Sequence, residues 1–197
     1  MRVSILRAAL PLAAVLALAG CMSNSGTEVT RFHLGQPIPS DAIALVPGPG
    51  ADAKSLEFRR YAAIVAADLD RAGLHPAGDD GRSAYVGVLN AQQTVRQGAP
   101  KASPFSIGFG GGSGGFGGGV SVPVGTARTG DVRINLLALQ IRRRSDQSMV
   151  WEGRAVQEIA ADAPASALPA ALPELSRALL SGFPGPNGQT VKVKPGK

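Results

Sequence analysis

The sequence predicts an α+β domain in which an antiparallel sheet is packed by one long and one shorter helix in two layers. Three observations carry that expectation. Apolar residues recur at three- and four-residue spacing in two stretches, near 55–72 and 166–183, and alternate or run together in several others. Of the 197 residues 44% are hydrophobic and 17% charged, a composition that folds despite 26 Gly and 15 Pro. One Cys and two His, His33 and His75, exclude an internal disulfide framework, a multi-cysteine metal cage and a His-rich metal site, so packing alone must hold the core and no cofactor or metal is expected.

Taken in order, Glu28–Gly35 carries Val29, Phe32 and Leu34 and suits a first strand, and Ala42–Val46 is a second, bounded by Pro39 and the Pro47-Gly48-Pro49-Gly50 breaker. Phe58, Tyr61, Ala62, Val65, Leu69 and Ala72 then mark an amphipathic helix over about 56–72, with Ser55 placed to cap its start and Gly73 its end. Arg59, Arg60, Asp68, Asp70 and Arg71 fall off the apolar stripe and read as a solvated face. Asp68 and Asp70, two apart, point about 200° from each other on a helix and do not converge on a substrate.

From Ala84 the pattern is a strand reaching toward Val95, with Tyr85, Gly87, Leu89 and Ala91 on one face and Val86 and Val88 on the other. Between Val132 and Ile141 the apolar set changes face at Leu136/Leu137, which predicts a β-bulge or burial on both sides. Residues 144–148 form a polar turn, and Met149–Val156 returns as the hairpin partner with Trp151 as an anchor of the core or sheet face. The stripe Leu168, Leu172, Leu175, Leu179, Phe183 is helical, but Pro169 and Pro173 should break its start and leave a firm helix over about 173–181. Thr190–Lys194 alternates as a short edge strand that its lysines protect.

The N-terminus carries an address. Arg2 and Arg7 precede Ala8–Leu18, apolar apart from Pro11; about 17 Å of helix falls short of a hydrocarbon core of about 30 Å, as in a signal peptide. Leu18-Ala19-Gly20-Cys21 resembles the bacterial lipobox, in which the cysteine thiol receives a diacylglyceryl group before cleavage. Residues 1–20 are thus expected to be a lipoprotein signal peptide, 21–27 a short tether, 28–186 a single domain with a Gly-rich loop at 108–119, and 187–197 a basic tail. Met22, where the family of inner-membrane-retained lipoproteins tends to carry Asp, favours the outer membrane of a Gram-negative host.

The formal charge of +6 is mild. In an exported protein it points away from nucleic acid and toward envelope polyanions, or simply to scattered surface arginines. Gly108–Gly119 holds nine of the glycines, interrupted by Phe109, Ser113 and Phe116. No helix pattern and no Gly-Lys-Ser/Thr follow it, so it is not a phosphate cradle. A hairpin pairing 106–109 with 120–124 would expose Phe109 and Phe116 to a membrane or partner; a solvated spacer is the other reading. Neither histidine sits in a catalytic motif, and Arg142–Arg144 reads as a solvated hairpin end.

The lipobox ending in Cys21, the helix from Ser55-Leu56-Glu57-Phe58-Arg59-Arg60-Tyr61 to Gly73-Leu74, the Gly-rich interruption, Val150-Trp151-Glu152-Gly153-Arg154-Ala155 and Phe183-Pro184-Gly185 together resemble bacterial lipoproteins of the domain of unknown function 4136 family. The resemblance covers about Glu28–Phe183. It implies an antiparallel sheet packed by helices, outer-membrane or periplasmic placement and no assigned chemistry, and carries over no functional residue except the lipidated Cys21. The expectation is a non-enzymatic, lipid-anchored binding or envelope-assembly module, with an accessory subunit of an envelope transport or secretion complex as the alternative and an envelope hydrolase behind both.

Overall fold

The structure, a computed structural model, describes residues 26–98, 106–107, 122–123 and 130–194. In chain order the elements are β1 (Thr27–His33), β2 (Ala42–Pro47), α1 (Leu56–Arg71), β3 (His75–Ala77), β4 (Tyr85–Arg96), β5 (Ser106–Ile107), β6 (Val122–Pro123), β7 (Val132–Arg143), β8 (Met149–Ala160), α2 (Leu168–Leu180) and β9 (Gln189–Val193). Seven strands form one sheet in the order β3-β2-β4-β7-β8-β1-β9, and β5 and β6 pair with each other. Both helices lie on one face of the large sheet, so the expected two-layer α+β architecture holds. The pairing is antiparallel except at β2, which runs parallel to β3 and β4 because α1 carries the chain back to the same end of the sheet. The three-residue β3, with Pro76 at its centre, gave no strand pattern in the sequence. It is an edge strand, where a missing N–H does little harm.

Helix α1 starts and ends where its sequence dictates. The Ser55 hydroxyl accepts from the Phe58 N–H at 3.1 Å. At the other end Gly73 takes φ +88°, its N–H donates to Asp70 O at 3.1 Å, and the Leu74 N–H donates to Leu69 O at 3.0 Å. This is the Schellman arrangement, and it drops Leu74 into the core. Tyr61 donates its hydroxyl to Glu57 at 2.9 Å, and burial, with the adjacent carboxylate, pushes its pKa up to about 12, so it stays a neutral phenol.

Helix α2 corrects the expectation at its start. It begins at Leu168, not Pro173, and keeps Pro173 inside. Pro169 sits in the first turn, where no N–H is needed. The ring of Pro173 faces solvent, while Leu168, Ala171, Leu172, Leu175, Ala178 and Leu179 are all buried. An internal proline costs about 3 kcal/mol; four buried leucines, at about 1.5–3 kcal/mol each, outweigh it. Asp68 is a second correction. It is not on a solvated face but buried between the helices, where its carboxylate accepts from Ser176 Oγ at 2.6 Å and pairs with Arg71.

On the sheet, β7 shows no bulge where its apolar pattern changes face. It pairs regularly from Val132 to Ile141, and the register slips only between Ile141 and Arg142. Leu137, Leu139 and Ile141 are fully buried beneath the helices, whereas Val132, Ile134 and Leu136 occupy the opposite face. Trp151 is fully buried, with its Nε1–H on Pro184 O at 3.0 Å and its ring 5.3 Å from that of Phe183. Gly153 makes room for it, since a Cβ there would lie 2.5 Å from the indole and 2.9 Å from Leu179. The strand β9 pairs with β1 along the sheet edge, so the C-terminal segment joins the domain through residue 193.

Candidate functional site

The two faces of the sheet differ sharply. The helix-facing side is closed by specific contacts. At one end Gln93 Nε2 donates to Asn135 Oδ1 at 2.6 Å and to Ser166 O at 2.9 Å, and Asn135 Nδ2 also donates to Ser166 O, sealing the helix layer with a polar row. At the other end lies Arg31, only 3% exposed. Its Nε donates to Leu179 O at 2.9 Å, and its Nη2 donates to Ala178 O at 2.7 Å and Ser181 O at 3.0 Å. The guanidinium therefore closes the C-terminus of α2, where carbonyls lack partners and the helix dipole is negative. Burial draws its pKa down from the ordinary guanidinium value, yet three carbonyl acceptors hold it in place.

His33 belongs to this closure. Its Nδ1 accepts from the Gly35 N–H at 3.1 Å, which leaves Nε2 to donate to Gly185 O at 3.1 Å. Asn187 continues the β1 edge by accepting from the His33 N–H and donating to its carbonyl, each at 3.0 Å. His33 is a structural residue that fastens the 182–188 loop.

The opposite face carries no helix among the described residues. Alternation places on it Val86, Val88 and Asn90 of β4, Val132, Ile134, Leu136, Ala138 and Gln140 of β7, Val156 of β8 and Thr30 and Phe32 of β1. The apolar members run down the central strand, all partly exposed, and Phe32 is 42% exposed. Two shallow hollows lie over this face. One, of about 490 Å³, is lined by Gly26, Glu28, Val132, Val156, Glu158 and Lys192 among others; the second, of about 290 Å³, by Phe32, Leu136, Ala138, Glu152 and Arg154. Polar contacts hold the rim. Arg96 reaches across β7 to make a two-pronged pair with Glu158 at 2.6 and 3.1 Å, holding that carboxyl below its usual range. Thr30 and Thr190 bond at 2.7 Å, and Arg142 Nη2 donates to Gln140 at 2.8 Å.

The face was half legible in the sequence. The Leu136/Leu137 switch offered a β-bulge or burial of β7 on both sides; that, among the described residues, the helices roof only one side depends on where both of them pack, which no local pattern states.

Sequence reasoning missed one convergence of catalytic residue types. Ser40 Oγ lies 3.2 Å from His75 Nε2, and His75 Nδ1 lies 3.2 Å from Asp70 Oδ1. The order matches a nucleophile, base and orienting group. The chemistry does not follow. Ser40 points its single proton at Gly73 O, 2.5 Å away, rather than at the histidine. All three residues are exposed, and none of them lines the hollows described above. The chain of contacts ties the 34–41 loop to the end of α1. Arg144 is likewise structural, donating to Ser83 and pairing with Asp79 at 2.7 Å. Among the described residues no cluster of three His, Cys, Asp or Glu side chains is arranged for a metal. Cys21, Phe109 and Phe116 lie outside the described residues.

A seven-stranded sheet that, among the described residues, is roofed by two helices on one side defines a small two-layer α+β domain. Residues 43–185 match the family described as domain of unknown function (DUF4136), and the chain belongs to it. A relative from Zymomonas mobilis, an uncharacterized protein, is 29% identical over 212 residues, covering 85% of this chain and 80% of its own length. Among solved structures, the PelC dodecamer from Paraburkholderia phytofirmans is similar at 11% identity and TM-score 0.41, over 79% of this chain and 95% of that one. A PDZ domain protein from Parabacteroides distasonis is similar at 12% identity and TM-score 0.45, over 87% of this chain; this chain spans 40% of its length.

Proposed function

We propose that this protein is a lipid-anchored lipoprotein of the outer membrane, on its periplasmic face, that works without catalysis as a docking module in envelope assembly. The bare sheet face carries the docking part of this reading: apolar side chains in the middle of a seven-stranded sheet, rimmed by fixed charges, are what a protein-contact surface requires. The anchor rests on Leu18-Ala19-Gly20-Cys21. Six residues at about 3.3 Å each keep the start of β1 within about 20 Å of a lipid on Cys21, so the domain stays close to the membrane that holds it. Among the described residues no helix is long and apolar enough to cross a membrane.

The test is a photo-activatable phenylalanine analogue placed at Leu136 or Val156, or at Arg59 on the outer side of α1. Cross-links to another polypeptide are expected from the two sheet positions and not from Arg59. Equal yields from all three sites would refute the docking role of the face. The second part of the reading is tested with a fluorophosphonate probe, which is expected to leave Ser40 unmodified. Labelling that disappears in Ser40→Ala would make the protein a serine hydrolase.

A further inference from the structure

We propose that the partner on the bare face is a second copy of this chain, two sheets packing face to face into a symmetric pair. This inference rests on the docking reading above. Charge selects the occupant. The face and its rim carry Glu28, Glu152 and Glu158 against Arg96, Arg142, Arg154 and Lys192, and the two signs interleave along β8 as Glu152, Arg154, Glu158. A near-balanced face does not draw in a polyanion, because any acidic polymer or anionic bilayer laid on it meets three carboxylates. An identical face presents both signs in return, so a two-fold arrangement can set acid against base around the apolar centre.

Area agrees. Strands are about 4.8 Å apart and rise about 3.3 Å per residue, so the surface spanned by β4, β7 and β8 at twelve residues each, with the seven of β1 and the five of β9, is about 760 Å². That is close to the roughly 800 Å² per partner of a standard stable interface. The apolar residues lie at its middle and the ion pair Arg96–Glu158 at its margin, the layout of a contact with a dry core and a wet rim.

The experiment uses the full chain in its own membranes. Cys21 is the only cysteine and is blocked if lipidated, so Leu136→Cys, and separately Ile134→Cys, Ala138→Cys and Val156→Cys, each introduce one free thiol; a Cys21→Ser background serves as control. A bifunctional maleimide is expected to give a species of twice the chain mass from at least one of these and none from Arg59→Cys. Two copies with different tags should be captured together from detergent extracts, and Leu136→Arg should lower that co-capture at least tenfold without moving the thermal melt. Should Leu136→Arg fail to fold, the cysteine series alone decides. Absence of the doubled species at all four sheet positions, with no co-capture, overturns the proposal. If the photo-cross-linker at Leu136 then joins a different protein, docking stands and self-pairing fails; if it joins nothing, both fail.

Discussion

Arg31→Met is expected to cost about 3 kcal/mol of stability, seen as a lower urea midpoint at unchanged slope. The side chain is buried and donates three hydrogen bonds to the last carbonyls of α2. Bonds from a charged donor are worth about 1.5–3 kcal/mol each, and a cation at a helix C-terminus up to about 2 kcal/mol. The cost of desolvating the guanidinium offsets part of that sum. Met fills the volume but leaves Ala178, Leu179 and Ser181 without their donor. Arg31→Lys, a single point of charge where a fork is needed, should recover less than half of the loss. A midpoint for Arg31→Met within experimental error of the wild type would show that water replaces the guanidinium at no cost, and that α2 is held by its leucines alone. The site is crowded in a telling way: Gly185, at φ +79°, lies so close that a Cβ would sit 2.5 Å from Nη1.

Cys21→Ser is expected to abolish incorporation of labelled palmitate and, because cleavage follows lipidation, to leave residues 1–20 on the chain. Each buried methylene contributes about 0.8 kcal/mol, and one acyl chain alone binds only marginally; two or three chains on one cysteine bind effectively without release. A serine hydroxyl is not a substrate for thioether formation, so the variant loses all of them together. Labelled palmitate taken up by Cys21→Ser would place the attachment elsewhere in the chain.

What the sequence makes legible is local. The Ser55 and Gly73 signals bound α1 to within a residue, and Trp151 and the 149–156 strand sit where their pattern puts them. What it hides depends on contacts far apart in the chain. Arg31 follows Val29 and Thr30 in an ordinary strand pattern, and its burial becomes intelligible only when α2, nearly 150 residues later, ends above it. Asp68 looks solvated until Ser176 is brought against it. Phe32 and Leu34 look like core residues, but they are 42% and 63% exposed because Phe32 points to the bare face and Leu34 lies past the strand end. Pro173 stands as a breaker by propensity, yet a stripe of buried leucines on one side of the helix overrides it. The same limit applies to the site: alternation shows which residues share a face of the sheet, and only the packing of both helices shows which face is left for a partner.

The lipid anchor is tested most directly by the mass of the N-terminal peptide of the protein purified from bacterial membranes. The expected chain begins at Cys21 with a diacylglyceryl group on its sulfur. A chain that retains residues 1–20, or one that begins at an unmodified Cys21, would contradict it.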